Sequence, residues 1–276
     1  MGWPPISCVC VTYGRPQRIL EEAVYSFLQQ DYGGSKELLI LNDFSRQTIV
    51  FDHPEVTVIN APARFASLGE KRNAAAALCR YDFQAVWDDD DIFLPHRLTF
   101  SMSRYDPARR FFKARQAFVL NRDLLIGPKT WGFHSAALWH RSLFEEAGLY
   151  AAIDSGEDHD LEMRFKAIVG PGLYYDCIEP GEIYYIYRWA GTGSFHLSAF
   201  GRGPAGHQRV EQFVSQQLAR GEILPGEIRL QPQWNADYLR LVRRHLTLGA
   251  TPPSDPFVTP VERAGTLPAA LRLPEE

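Results

Sequence analysis

Cysteine is scarce in this chain of 276 residues. There are four, Cys8, Cys10, Cys79 and Cys177, with no CxxC pair and no Cys/His zinc spacing. That argues against a disulfide scaffold or a zinc module and points to reduced thiols in a cytoplasmic protein. An excess of basic charge is also missing. The formal net charge is −4, which disfavours nucleic acid as a partner. No apolar run is long enough to span a membrane. Met1-Gly2-Trp3-Pro4-Pro5 has neither the basic start nor the apolar core of a signal peptide, so no leader is expected. Internal repeats are absent. What remains is 45% hydrophobic and 22% charged, an ordinary globular composition long enough for one large core or two small ones.

The first half alternates strand and helix. Ile6 to Thr12 (ISCVCVT) is a β-rich apolar run, a buried strand in which Cys8 and Cys10 share one face. Tyr13-Gly14-Arg15 turns, and Pro16 suits the first position of an amphipathic helix over roughly 16–30. ELLIL (37–41) is a second strand ending at Asn42-Asp43, and 56–59 a third. Gly69 opens an alanine-rich helix, and 83–87 reads as a further strand. The alternation predicts a mostly parallel sheet with helices on both faces. Residues 111–205 are less regular and rich in aromatics, and helices are expected within 206–248. Residues 249–276 are proline-rich, an extended arm or tail through which subunits could associate.

Ligands of such sheets bind at the carboxyl ends of the strands. Here those ends carry Thr12-Tyr13, Asn42-Asp43 and the run VWDDDDIFLPH (86–96). Like charges about 4 Å apart repel by roughly 1 kcal/mol per pair in water and about 4 kcal/mol at an effective dielectric near 20. Four consecutive aspartates beside a core therefore need compensation. In extended backbone Asp88 and Asp90 point one way, Asp89 and Asp91 the other. Asp88 and Asp90 are candidate ligands for Mg²⁺ or Mn²⁺, which favour oxygen donors and phosphates. Asp91 is a candidate cap for a helix opened by Pro95. The plainer reading is a solvated acidic loop partly offset by His96 and Arg97.

The order ISCVCVTYGRP, ELLILNDFS, GEKRNAAAA, WDDDDIFLPHRL, GFHSAALWHRSLFEEAGLY and GEDHDLEMRF resembles family 2 glycosyltransferases over roughly residues 5–200. It departs from that family's pattern at Gly14 (usually Asn), Asn42 (usually Asp) and Phe44 (usually Gly). The resemblance implies the α/β GT-A fold: a Rossmann-like sheet flanked by helices, with 1–110 the nucleotide-sugar half and 111–205 the acceptor and catalytic half. It places Thr12 and Tyr13 at the nucleobase, with Tyr13 packed on it, and Asp43 at base or ribose. Arg15, Asn42, Lys71 and Arg72 are placed around the donor, with Lys71 near phosphate. Asp88 and Asp89 approach ribose and sugar, and Asp90, helped by Asp88, holds the divalent ion. His196 is a further candidate ligand to metal or diphosphate. In the Glu-Asp motif Asp158 is the catalytic base and Glu157 its acceptor-binding neighbour, while Trp131 and His134 line an acceptor pocket.

The implied activity is metal-dependent, inverting transfer from a nucleotide-diphosphate sugar, UDP first among bases, to a hydroxyl of a carbohydrate or lipid-linked acceptor. Bound ion and ribose would then compensate the aspartates, leaving the loop strained and mobile without them. Structural readings stand beside these. Ser155 and Asp158 have the spacing of a capping box. Arg72 could pair with Asp43 or Asp88 without any ligand. Arg109, Arg110, Lys113 and Arg115 form a basic patch. Arg240, Arg243 and Arg244, among apolar neighbours, fit either a docked helix or one lying on the inner face of a membrane. Two other functions compete: a catalytically silent nucleotide-sugar- or glycan-binding module, and a sugar nucleotidylyltransferase. The second lacks its glycine-rich loop, because TYGRPQRIL runs straight into a helix.

Overall fold

The structure is a computed structural model and describes residues 2–130, 133–190 and 203–248. Its strands in chain order are β1 (Ile6–Thr12), β2 (Lys36–Asn42), β3 (Gln47–Val50), β4 (Val56–Asn60), β5 (Phe83–Val86) and β6 (Ile92–Phe93). There follow β7 (Phe111–Lys113), β8 (Gln116–Asn121), β9 (Leu124–Thr130), β10 (Ala137–His140), β11 (Tyr185–Ala190) and β12 (Gly226–Arg229). The helices are α1 (Gln17–Leu28), α2 (Leu68–Ala77), α3 (Arg97–Ser103), α4 (Arg141–Glu146), α5 (Glu157–Val169), α6 (Gly203–Ala219) and α7 (Tyr238–Leu248). The central sheet runs β4-β2-β1-β5-β10-β7. Its first four strands are parallel, and β10 is antiparallel to both neighbours. A second sheet, β6-β11-β8-β9, and a parallel pair, β12-β3, complete the topology.

Period two in β1 decides the layers. Cys8 and Cys10 join Leu38, Ile40 and the buried face of α1 in the main core. Val9, Leu39 and Leu41 pack instead with Ala75 and Cys79 around α2. Ala75 and Ala76 let that helix lie close to the sheet. Two predicted helix starts shift. Pro16 stands just before α1 rather than in its first turn. Ser67, not Gly69, begins α2, its hydroxyl accepting the Glu70 N–H at 3.2 Å.

β3 went unpredicted, and its partner β12 lies almost 180 residues later. α7 lays its apolar face on the main core through Tyr238, Leu239, Leu241 and Val242, and the His245 ring bonds the Gly127 carbonyl at 2.7 Å. That face is therefore not available to a membrane. Among the described residues no helix is long and apolar enough to cross one. Lys113 is not part of a basic surface patch: it is buried, with its ammonium 2.6 Å from both carboxylate oxygens of Glu162.

Candidate active site

β1, β2 and β5 end at one rim. The acidic turn after β5 is already neutralised by the chain itself. Arg15, from the turn after β1, is buried and holds Asp89 with two hydrogen bonds, 3.0 and 2.7 Å, and lies 3.2 Å from Asp90. Asp91 is buried and accepts from the Tyr185 hydroxyl at 2.5 Å and the Arg188 N–H at 2.9 Å. Burial, then the charges of Asp90 and Asp88, push the Asp91 carboxyl well above its usual range. Asp88 accepts from the Ser135 hydroxyl and lies 3.4 Å from Arg72.

Several expectations are corrected here. The turn is not extended, so Asp89 and Asp90 converge on Arg15 instead of pointing apart. Asp89 and Arg15 are bound to each other. Asp91 caps no helix. Arg97 is buried beneath the turn, donating to the carbonyls of Val86 and Ser135. Arg15, Arg72 and the β11 contacts supply partners to these carboxylates from within the chain.

Asp88 keeps the most exposed side chain of the four, 25%. Among the described residues no group of three or more His, Cys, Asp or Glu could hold a metal ion. One or two carboxylates are nonetheless the usual protein share of a Mg²⁺ site completed by phosphates and water. Asp88 and Asp90 are two carboxylates of the kind such a site uses, so the residue types fit a hard cation. His196 and Trp131 lie outside the described residues.

Across the rim stands the first turn of α5. Glu157 is buried, 3.2 Å from Arg72 Nε. Its pKa is raised, by burial first, against the opposing pull of Arg72. Asp158 is half-buried and its Oδ1 accepts the His159 N–H at 2.7 Å. No Ser155–Asp158 capping box forms, because Gly156 occupies the position before the helix and caps nothing. Arg72 thus spans the acidic turn and α5, touching Asp88 on one side and Glu157 on the other.

Behind this bridge lies a buried polar chain. Lys113 pairs with Glu162, Glu162 bonds His134 Nδ1 at 2.7 Å, and His134 Nε2 meets the Tyr150 hydroxyl at 2.7 Å. Burial would raise the Glu162 carboxyl, but Lys113 and His134 outweigh it and carry its pKa down to about 2. The Arg72 guanidinium lies 5.7 Å from the centroid of the Tyr150 ring, and Asn73 bonds the Tyr150 backbone at both N–H and carbonyl, each 2.9 Å. His134 is 6% exposed with both ring nitrogens engaged within the chain.

At the ends of β1 and β2 lies a pocket lined by Tyr13, Asp43, Arg64, Phe65, Ser67, Lys71 and, from α6, Gly206, His207 and Val210. Asp43 accepts from Lys71 at 2.5 Å and from the Phe65 N–H at 3.0 Å. Lys71 also donates to the Thr12 carbonyl at 2.6 Å. It therefore positions Asp43 at the pocket wall. Thr12 is buried, and its hydroxyl has no hydrogen-bond partner among the described residues. Asn42 is buried too. Its amide donates to Gln47 O and Asn60 Oδ1, and its Oδ1 accepts from the Phe44 N–H. An aspartate could not donate, so Asn42 braces the strand end in a way the family's usual residue could not.

Arg64, His207, Asp154, Tyr150 and Glu162 were not singled out in the sequence. An arginine or a glutamate alone carries no spacing signal, and these meet only through contacts between distant segments.

An α/β sheet of this order, with an acidic turn at its carboxyl edge faced by a carboxylate-bearing helix end, is the GT-A fold. Residues 7–110 match the model of glycosyl transferase family 2, the family the motifs indicate. Among solved structures, S. aureus TarS 1-349 in complex with UDP-GlcNAc is similar at 14% identity and a TM-score of 0.57, covering 79% of this chain and 66% of that one. The same protein in complex with UDP is similar at 13% identity and a TM-score of 0.51, covering 79% and 65%. The chain thus spans slightly less than two thirds of those structures' length, and likenesses this distant in sequence bear on fold alone. No curated protein matches the chain in sequence.

Proposed function

We propose that the protein is a metal-dependent, inverting glycosyltransferase that moves a sugar from a nucleotide-diphosphate donor, UDP first among bases, to an acceptor hydroxyl on a carbohydrate or a lipid-linked carrier. One observation carries this reading. Arg72 bridges Asp88 of the acidic turn and Glu157 of α5 at 3.4 and 3.2 Å. That contact ties the acidic turn to the helix whose first turn carries Glu157 and Asp158. The family match and the UDP named with the similar structures support the donor class.

Asp88 and Asp90 would hold the divalent ion, which when bound supplies neutralisation of charge on the leaving diphosphate. Asp158 takes the proton of the acceptor hydroxyl as that oxygen attacks the anomeric carbon. Attack comes from the face opposite the nucleotide, the bond to the diphosphate breaks, and configuration inverts. Glu157 is anchored by Arg72 and keeps the first turn of α5 at the rim.

The test is a calorimetric titration with UDP, dTDP and GDP, each with and without Mn²⁺. Metal-dependent binding of one nucleotide is expected. Binding of none would replace this reading with that of a catalytically silent module.

A further inference from the structure

Tyr13 is the aromatic side chain at the end of β1, yet its ring is almost wholly covered. It is 8% exposed. The Arg64 guanidinium lies over it, 4.3 Å from the centroid, and Phe44 meets its edge at 5.1 Å. A nucleobase entering this pocket cannot stack on Tyr13 while Arg64 is there. Arg64 itself lines the pocket, with its side chain 22% exposed, so part of that side chain is open to a ligand.

Arg64 is held in this pose by α6. Its Nη1 lies 3.5 Å from both Glu211 and the His207 carbonyl of α6. The same helix closes the far wall: His207 Nε2 lies 2.7 Å from Asp154, which also accepts the N–H of Leu68 at the start of α2 at 3.2 Å. α6 lies wholly outside the stretch that matches the family. An arginine plane laid on an aromatic ring is a good second platform. It is planar, permanently charged and weakly hydrated, and its outer face accepts a heteroaromatic ring by the same cation–π and stacking forces.

We infer that Arg64, stacked on Tyr13 and braced by α6, is the platform on which the donor's nucleobase rests, and that α6 is a wall of the donor pocket. This rests on the donor class proposed above. Asp43, fixed by Lys71 and Phe65, stands beside that platform as an acceptor for a base N–H.

The test is calorimetry with UDP and uridine on the full chain, comparing wild type with Arg64→Ala, Arg64→Lys and Glu211→Ala. Loss of the platform should weaken UDP and uridine together by about tenfold, since the base and not the phosphate is released. Arg64→Lys should not recover it, because an ammonium has no plane. Glu211 is 61% exposed. Its removal releases Arg64 without entering the pocket and should weaken binding in the same direction, by less. Unchanged or tighter binding in Arg64→Ala, with wild type binding normally, overturns the platform and leaves the donor class standing. A wild type that binds no nucleotide removes the donor class, and the platform with it.

Discussion

Val214 Cγ1 of α6 stands 2.7 Å from where a β-carbon on Gly14 would lie. Gly14 also has φ +55°, so both the turn and the helix above it ask for the missing side chain. Phe44 is buried with Tyr13, Val210, Val214 and Ile223 under the same helix. Two of the three departures from the family pattern, Gly14 and Phe44, are therefore one structural fact: they make the seat for α6. Gly14→Asn, which restores the usual residue, should lower the melting temperature by the equivalent of about 1–3 kcal/mol through overpacking. Adding Val214→Ala should return part of that loss. Thermal unfolding of the single and double variants checks the coupling, and additive losses would show that Gly14 and Val214 do not share the contact.

The central sheet could be read in the sequence because β1, β2 and β5 are short apolar runs bounded by turn residues, and because α1 shows a clear helical period. The motif order pointed to the rim as well. The counterions could not be read. Arg15 follows β1 by three residues and looks like a turn residue, yet only the parallel pairing of β1 with β5 brings it to Asp89. Arg188 lies 97 residues from Asp91, and His207 53 from Asp154. Such pairs have no local signature. Alternation in an extended strand was the wrong geometry for Asp88 to Asp91, because the chain turns there and its carboxylates follow their partners.

Gly69 tests how α2 is tied to the site. A β-carbon there would lie 1.8 Å from the Ala151 carbonyl oxygen, and the Gly69 N–H donates to Ile153 O at 3.1 Å. The obstacle is backbone, which cannot rotate aside. Gly69→Ala should cost about 2–3 kcal/mol and move Lys71 and Arg72 with the helix. Chemical denaturation would report the loss, and a variant as stable as wild type would mean that the 151–153 segment yields freely.

Glu162 sets an acid limit. Burial opposes its charge, but Lys113 and His134 carry its folded pKa from 4.5 down to about 2. The unfolded chain therefore takes up this proton first as pH falls. The stability Glu162 contributes is fully present above about 4.5 and is lost as pH drops towards 2. Melting temperatures of wild type and Lys113→Met/Glu162→Gln, measured across that window, should diverge in slope, with the double variant flatter. Parallel slopes would assign the acid transition to other carboxylates.

The two sides of the Arg72 bridge should separate in kinetics. Asp90→Ala removes a carboxylate from the donor side while Arg15 keeps its two bonds to Asp89, so the fold should survive. Mn²⁺-dependent donor binding should vanish. Asp158→Asn leaves the acidic turn, Arg72 and Glu157 in place and removes only the group proposed to take the acceptor proton. Its donor affinity should match wild type while transfer falls by about 10²–10⁴, the usual worth of a positioned general base. Donor hydrolysis and UDP titration on both variants distinguish the roles. If Asp158→Asn transferred at the wild-type rate, the base would have to be sought elsewhere on this rim, with Glu157 first in line because burial already holds its pKa above the ordinary carboxylate value.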